Sequence, residues 1–187
     1  MKGLRAGTHA ALSGALWGAV EATAGRALHL GRVPFRGGIL GLVGLVCLIC
    51  LRRLQPRVGV VLVAGLTAIF LKIFTLGGLY PGPLVGIGIQ TLAVEFGFVV
   101  ARGPWAAAIG GIIAFGTNPV QRVITAWIVS GTEAATAVLR AVGDLGGIDA
   151  RWVLAGFVSV AASMGAVGGV WAWRLAGRVE RRLRGGP

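Results

Sequence analysis

Six stretches of this chain are apolar for long enough to restrict what it can fold into. A helix rises about 1.5 Å per residue, so roughly 20 apolar residues cross the hydrocarbon core of a bilayer. The stretches run over residues 6–28, 37–51, 58–76, 84–101, 105–131 and 152–176. The second is short, which suggests a tilted or partly re-entrant segment. Composition agrees: 56% of the 187 residues are hydrophobic and only 13% are charged, against about 25% charged in soluble domains. So few charges cannot cover a water-exposed surface. The expected fold is all-α: a polytopic membrane helical bundle of about six transmembrane helices, one domain over 1–187.

Other classes are excluded on the same grounds. Disorder needs low hydrophobicity, and collagen needs a three-residue glycine period; the 33 glycines here have none. A net charge of +12 would suggest nucleic acid in a soluble chain, but the basic residues are scattered between apolar runs, so no nucleic-acid partner is expected. Cys47 and Cys50 form one C-x-x-C inside an apolar run. Zinc needs four ligands, and no second pair accompanies them, so buried thiols are expected and no metal or cofactor.

The connectors carry turn residues. Gln55-Pro56, the run Gly77-Gly78-Leu79-Tyr80-Pro81-Gly82-Pro83, and Gly103-Pro104 each separate two apolar stretches, because proline removes a donor and glycine frees the backbone. Residues 132–150 differ. Val138, Leu139, Val142 and Leu145 recur at helical spacing around Arg140 and Asp144, which predicts a short amphipathic helix on the membrane surface before the last span. With the N-terminus inside, the inner loops and tails hold eleven Lys and Arg residues and the outer loops five. Basic residues accumulate on the cytoplasmic side, so both termini are expected in the cytoplasm, in a prokaryotic cytoplasmic membrane. The N-terminus resembles a signal peptide, with Ala22-Thr23-Ala24 in place of a cleavage site, but Glu21 stands just before it and a retained first helix is expected.

That first helix has one small-residue side. Ala11, Gly14, Ala15, Gly18, Ala22 and Gly25 fall within about 100° of arc, opposite Leu12, Leu16, Val20 and Thr23. Both Gly14-x-x-x-Gly18 and the ladder Ala11, Ala15, Ala19 are present. Small residues let backbones approach closely in lipid. The face formed by Ala11, Gly14, Ala15, Gly18 and Ala19 therefore suits either packing within the chain or docking on a partner.

Four ionisable residues lie inside spans: Glu21, Lys72, Glu95 and Arg122. Such residues face a cavity or a partner. Glu21, Lys72 and Arg122 are expected in the outer half, and Glu95 about 16 Å in from the outer surface, near mid-membrane. Two internal ion pairs, Glu21 with Lys72 and Glu95 with Arg122, are one reading; Lys72 could also snorkel to the interface. The other is a polar pocket opening outward, lined also by Tyr80, Gln90, Thr91, Thr117, Asn118 and Gln121. Thr91 and Glu95 share a helix face. Asn118-Pro119 is expected to break the fifth span and free carbonyls, which a cavity or protein must then satisfy. A few polar groups in an apolar cavity match a small-molecule site.

Taken together, six apolar segments in under 200 residues, the ladder Ala11, Ala15, Ala19, and the Gly/Pro loop 77–83 after the third span make the chain resemble a substrate-binding S component of an energy-coupling factor transporter. The resemblance implies a small water-soluble nutrient bound near the outer face by spans four to six and the loops after spans one, three and five. It implies docking of the alanine ladder on a membrane coupling subunit, toppling in the membrane, and energy from separate ATPase subunits. The chain itself has no G-x-x-x-x-G-K-[ST]. Met1-Lys2-Gly3 does not match the His-bearing N-terminus of the metal-transporting branch. An intramembrane enzyme is not expected, since G-x-S-x-G, H-E-x-x-H and a spanning D-x-x-D are all missing from the sequence. The alternative is a structural or assembly subunit of a larger membrane complex, with no ligand of its own.

Overall fold

The computed structural model describes residues 2–31, 36–76, 81–143 and 150–184. These form seven helices: α1 Lys2–Leu30, α2 Arg36–Leu54, α3 Val60–Leu76, α4 Pro81–Val100, α5 Gly103–Gly116, α6 Asn118–Gly143 and α7 Ala150–Arg184. No strand occurs among the described residues. Three helical segments, Gly37–Leu54, Pro81–Val100 and Arg151–Leu183, are long and apolar enough to cross a bilayer, and Val60–Thr75 is apolar but shorter. The protein is thus an all-helical membrane bundle.

The breaks fall where the local chemistry puts them. Gly59 and Gly103 adopt φ +87° and +64°, a region open to glycine at little cost. Gly59 stands before α3, and its carbonyl accepts from Val63 N–H at 3.0 Å. The second stretch is one uninterrupted helix of 19 residues, about 28 Å long, and not a re-entrant segment. The stretch 105–131 is not one helix: it divides at Thr117 into α5 and α6. Gly131, at φ 79° and ψ −177°, then kinks α6. The helix beyond, over residues 132–143, is where the amphipathic segment was expected; residues 144–149, its expected end, lie outside the described residues. The last helix outruns the expected 152–176 and has 35 residues, about 52 Å, far more than a bilayer core needs.

Around a few large buried side chains such as Trp17, Leu45 and Ile49, small residues supply much of the interior, and many large apolar residues face outward. Ala10, Ala64, Ala68, Ala106, Ala107, Ala172 and Ala176 are buried, whereas Phe70, Phe74, Leu92, Trp105 and Val167 are mostly exposed. Lipid covers such a surface at no cost, so the interior is free to be built for close approach. The α5–α7 interface shows how. A Cβ added at Gly111 would run into the carbonyl of Gly165, one at Gly165 into that of Gly111, and one at Gly169 into that of Ala107. On α4, a Cβ at Gly97 would meet the carbonyl of Ala106. Trp17 is fully buried and lies 2.7 Å from where a Cβ on Gly44 of α2 would stand.

One end of the bundle gathers the start of α1, the end of α7 and most of the described arginines. Gln55, after α2, meets His9 of α1 at 2.9 Å, and Arg53 of α2 meets Glu180 of α7 at 3.0 Å. The close-packing account separates two substitutions in α7. Gly165→Ala is expected to lower stability by about 1–3 kcal/mol through overpacking. Gly156→Ala, where an added Cβ meets nothing within 4 Å, is expected to be neutral or slightly stabilising. Thermal unfolding in detergent micelles checks the pair; equal melting temperatures would contradict the α5–α7 packing.

Candidate functional site

The half of the bundle away from the arginines holds the first polar group. Glu21 lies two-thirds of the way along α1 and Lys72 one turn before the end of α3, brought together because Gly14 and Gly18 let those helices touch. A Cβ on Gly14 would strike Ala64, and one on Gly18 would come within 2.9 Å of Leu71. Lys72 Nζ then donates to Glu21 Oε2 at 2.6 Å, with both residues buried. This is the Glu21–Lys72 pair expected from sequence. Lys72 does not snorkel to the surface.

The neutral polar groups are engaged with backbone. Gln90 Nε2 donates to Gly41 O of α2 at 2.5 Å. Thr91 Oγ1 donates to Ile87 O at 2.7 Å within its own helix. At the α5–α6 break, Thr117 N–H bonds Ile113 O at 3.1 Å and its hydroxyl bonds the same oxygen at 2.7 Å. Asn118 Nδ2 reaches Ala114 O at 3.4 Å, and Gln121 Nε2 ties α6 to Gly82 O of α4 at 2.7 Å. The break freed carbonyls as expected, but Thr117 and Asn118 take up those of Ile113 and Ala114. Tyr80 lies outside the described residues, as does the side chain of Arg122.

Glu95 does not join this group. It stands five residues, about 8 Å, from the arginine end of α4. Its Oε1 accepts from Gly59 N–H at 2.9 Å and lies 3.9 Å from Arg52 Nη2. Among the described residues Glu95 is thus paired with Arg52; the side chain of Arg122, its expected partner, lies outside them. Glu95 instead holds the start of α3 through its exposed backbone N–H and the positive helix end.

Arg52 follows an apolar run, and by position alone it reads as a loop charge and not as a buried residue. Helix α2 in fact continues past it to Leu54, and Arg52 is only 8% exposed. Its guanidinium lies 5.6 Å from the centre of the Phe98 ring. Its Nε and Glu95 Oε2 have no hydrogen-bond partner. The two buried charge systems thus differ: Glu21–Lys72 is tightly closed, whereas Arg52–Glu95 is loosely paired and has unused capacity.

The small-residue face of α1 also divides. Gly14 and Gly18 are buried against α3 and are not free for a partner. Ala11 and Ala15 are half-buried and Ala19 is exposed, beside the exposed Leu12 and Leu16. Cys47 and Cys50 are free thiols inside α2. Among the described residues no three His, Cys, Asp or Glu side chains gather as a metal site would require. No family model matches the chain, and no curated protein or solved structure matches it.

Removing one member of a buried pair strands the other charge, at a typical cost of about 3–5 kcal/mol. Lys72→Met is therefore expected to lower the unfolding temperature sharply, and Glu21→Gln combined with Lys72→Met to recover most of the loss. A double variant no more stable than the single one, measured in the same micelles, would show that the pair is not coupled.

Proposed function

We propose that this protein is a membrane-embedded substrate-binding subunit for uptake of a small water-soluble nutrient, resembling the S component of an energy-coupling factor transporter. It docks on a separate membrane coupling subunit, and ATPase subunits supply the energy. The observation that supports this best is the division of α1. Its glycine stripe is covered by α3, while Ala11, Ala15 and Ala19 run along the boundary between that interface and the exposed Leu12 and Leu16. An outward alanine stripe admits another helix at short range without disturbing the internal packing. The basic end faces the cytoplasm of a prokaryotic cell and carries both termini, so six crossings bring the chain back to its starting side. The nutrient site lies in the opposite half, where Glu21, Lys72, Gln90 and Asn118 are the polar groups within an apolar wall.

A second reading is a structural or assembly subunit that docks through the same stripe and binds no small molecule. The direct 2.6 Å closure of Lys72 on Glu21 favours it, because the two charges satisfy each other without a ligand.

One preparation separates the two. Protein extracted with its membrane partners and analysed by native mass spectrometry is expected to carry a small polar molecule and to lose it on Glu21→Gln. Intact complexes with no bound molecule in either form would leave the structural subunit. Replacing Ala15 and Ala19 by Leu is expected to dissociate the complex while leaving the melting temperature within a few degrees; complexes that survive would remove docking from both readings.

A further inference from the structure

Two adjoining clefts open at the basic end and belong to none of the roles above. One, of about 320 Å3, is lined by Arg53, Trp173, Arg174, Gly177, Arg178 and Arg181. The other, of about 190 Å3, is lined by Arg52, Arg53, Phe98, Arg102 and Trp173 among others. Arg53 and Trp173 form the wall between them. Six guanidiniums from α2, α7 and the α4–α5 turn face these clefts, and the ion pairs made there among the described residues use only Glu95 and Glu180. Four positive charges remain in excess.

The clefts are built and not merely charged. Arg53 is locked across α7: Nε donates to Glu180 Oε2 at 3.0 Å, Nη1 donates to Trp173 O at 2.8 Å, and the guanidinium lies 4.2 Å from the Trp173 ring centre. Gly177 makes room for it, since a Cβ there would stand 2.7 Å from Arg53 Nη2. Behind it, the buried Arg52 has an Nε with no partner. A planar guanidinium fork with a free donor is suited to phosphate oxygens.

The register of α7 distinguishes a lipid phosphate from a soluble one. Arg174, Arg178 and Arg181 continue, at alternating steps of four and three residues, the stripe Val160, Met164, Val167 and Trp171. All four of those apolar residues are more than half exposed. From Val160 to Trp171 the stripe is about 16 Å long, close to the depth of one leaflet. An acyl chain fits along it, and its headgroup then meets the arginines, with Trp171 at the boundary where indole rings favour an interface. A soluble phosphate has no use for the apolar stripe.

We propose that the clefts between α2 and α7 hold the phosphate headgroup of an anionic phospholipid, whose acyl chains lie along Val160, Met164, Val167 and Trp171. The inference rests on the arginine cluster and the α7 stripe, and stands whether or not the protein binds a nutrient.

The test uses full-length protein in nanodiscs of equimolar phosphatidylcholine and phosphatidylglycerol, released into mild detergent and read by native mass spectrometry. Phosphatidylglycerol is expected to remain bound in preference to phosphatidylcholine. The exposed triple variant R174Q/R178Q/R181Q is expected to lower that preference by roughly tenfold or more, whereas R151Q at the other end of α7 leaves it unchanged. Glycerol phosphate added in excess is expected not to displace the lipid. Wild-type protein with no preference between the two lipids would overturn the proposal without recourse to any variant. So would a preference that survives the triple substitution, or displacement by glycerol phosphate, which would assign the clefts to a soluble phosphate.

Discussion

Lipid tails are as apolar as leucine, so a helix in a bilayer gains little by burying leucine against its neighbour. What remains to hold helices together is dispersion between surfaces that come very close, together with polar contacts that have no water to compete with them. This protein is arranged around that constraint. Gly111 and Gly165 lie backbone against backbone between α5 and α7, Gly97 against Ala106 between α4 and α5, and Gly14 against Ala64 between α1 and α3. Each approach is possible only because a side chain is missing. Many large apolar residues, Phe70, Phe74, Leu92 and Val167 among them, are left outside, where lipid meets them. A domain that relied on hydrophobic burial in water would have to be built the other way round.

Close approach also dictates where charges can sit. Gly14 and Gly18 bring α1 onto α3, and only then does Lys72 come within 2.6 Å of Glu21. A buried pair is tolerable when each partner's charge is answered at short range. The ion pair is therefore a consequence of the glycine stripe and reinforces it: a residue with a Cβ at Gly14 would part the helices and leave both charges buried and unanswered. At the other end the geometry is looser. Arg52 and Glu95 are 3.9 Å apart, and Glu95 divides its attention between that arginine and the start of α3. The protein thus has a closed electrostatic end and an open one.

Much of the architecture was legible in the sequence, because apolar run length and turn residues are local signals. Helices appear at every expected stretch, Thr117–Pro119 divides the fifth, and Gly131 kinks α6 just before the stretch where a surface helix was expected. Glu21–Lys72 was also within reach, since the residues stand seven and four positions from the ends of the first and third apolar runs, both on the side expected to face out. The partner of Glu95 was not, because it depends on where α4 starts and on which helix lies opposite, and a one-dimensional count supplies neither. Arg52 was hidden by the ordinary association of arginine with loops. The ladder on α7, Ala162, Gly165, Gly169, Ala172 and Ala176, has the same three-and-four spacing as the face of α1 that drew notice. In a chain with 33 glycines such ladders are numerous, and only the structure shows which are matched by a partner ladder.

This distinction bears on α1. Its two ladders overlap in sequence yet have different fates: the glycines are consumed within the chain, whereas the alanines are left at its edge. An internal interface needs the closest approach and so takes glycine. A surface that must meet a partner and part from it again gains from a less intimate fit, because a Cβ keeps the backbones further apart and weakens the contact. On α1 the closest contact, Gly14 on Ala64, falls to glycine, while the half-buried Ala11 and Ala15 lie beside it on the way to the exposed Leu12 and Leu16, where a Cβ keeps any neighbour further off.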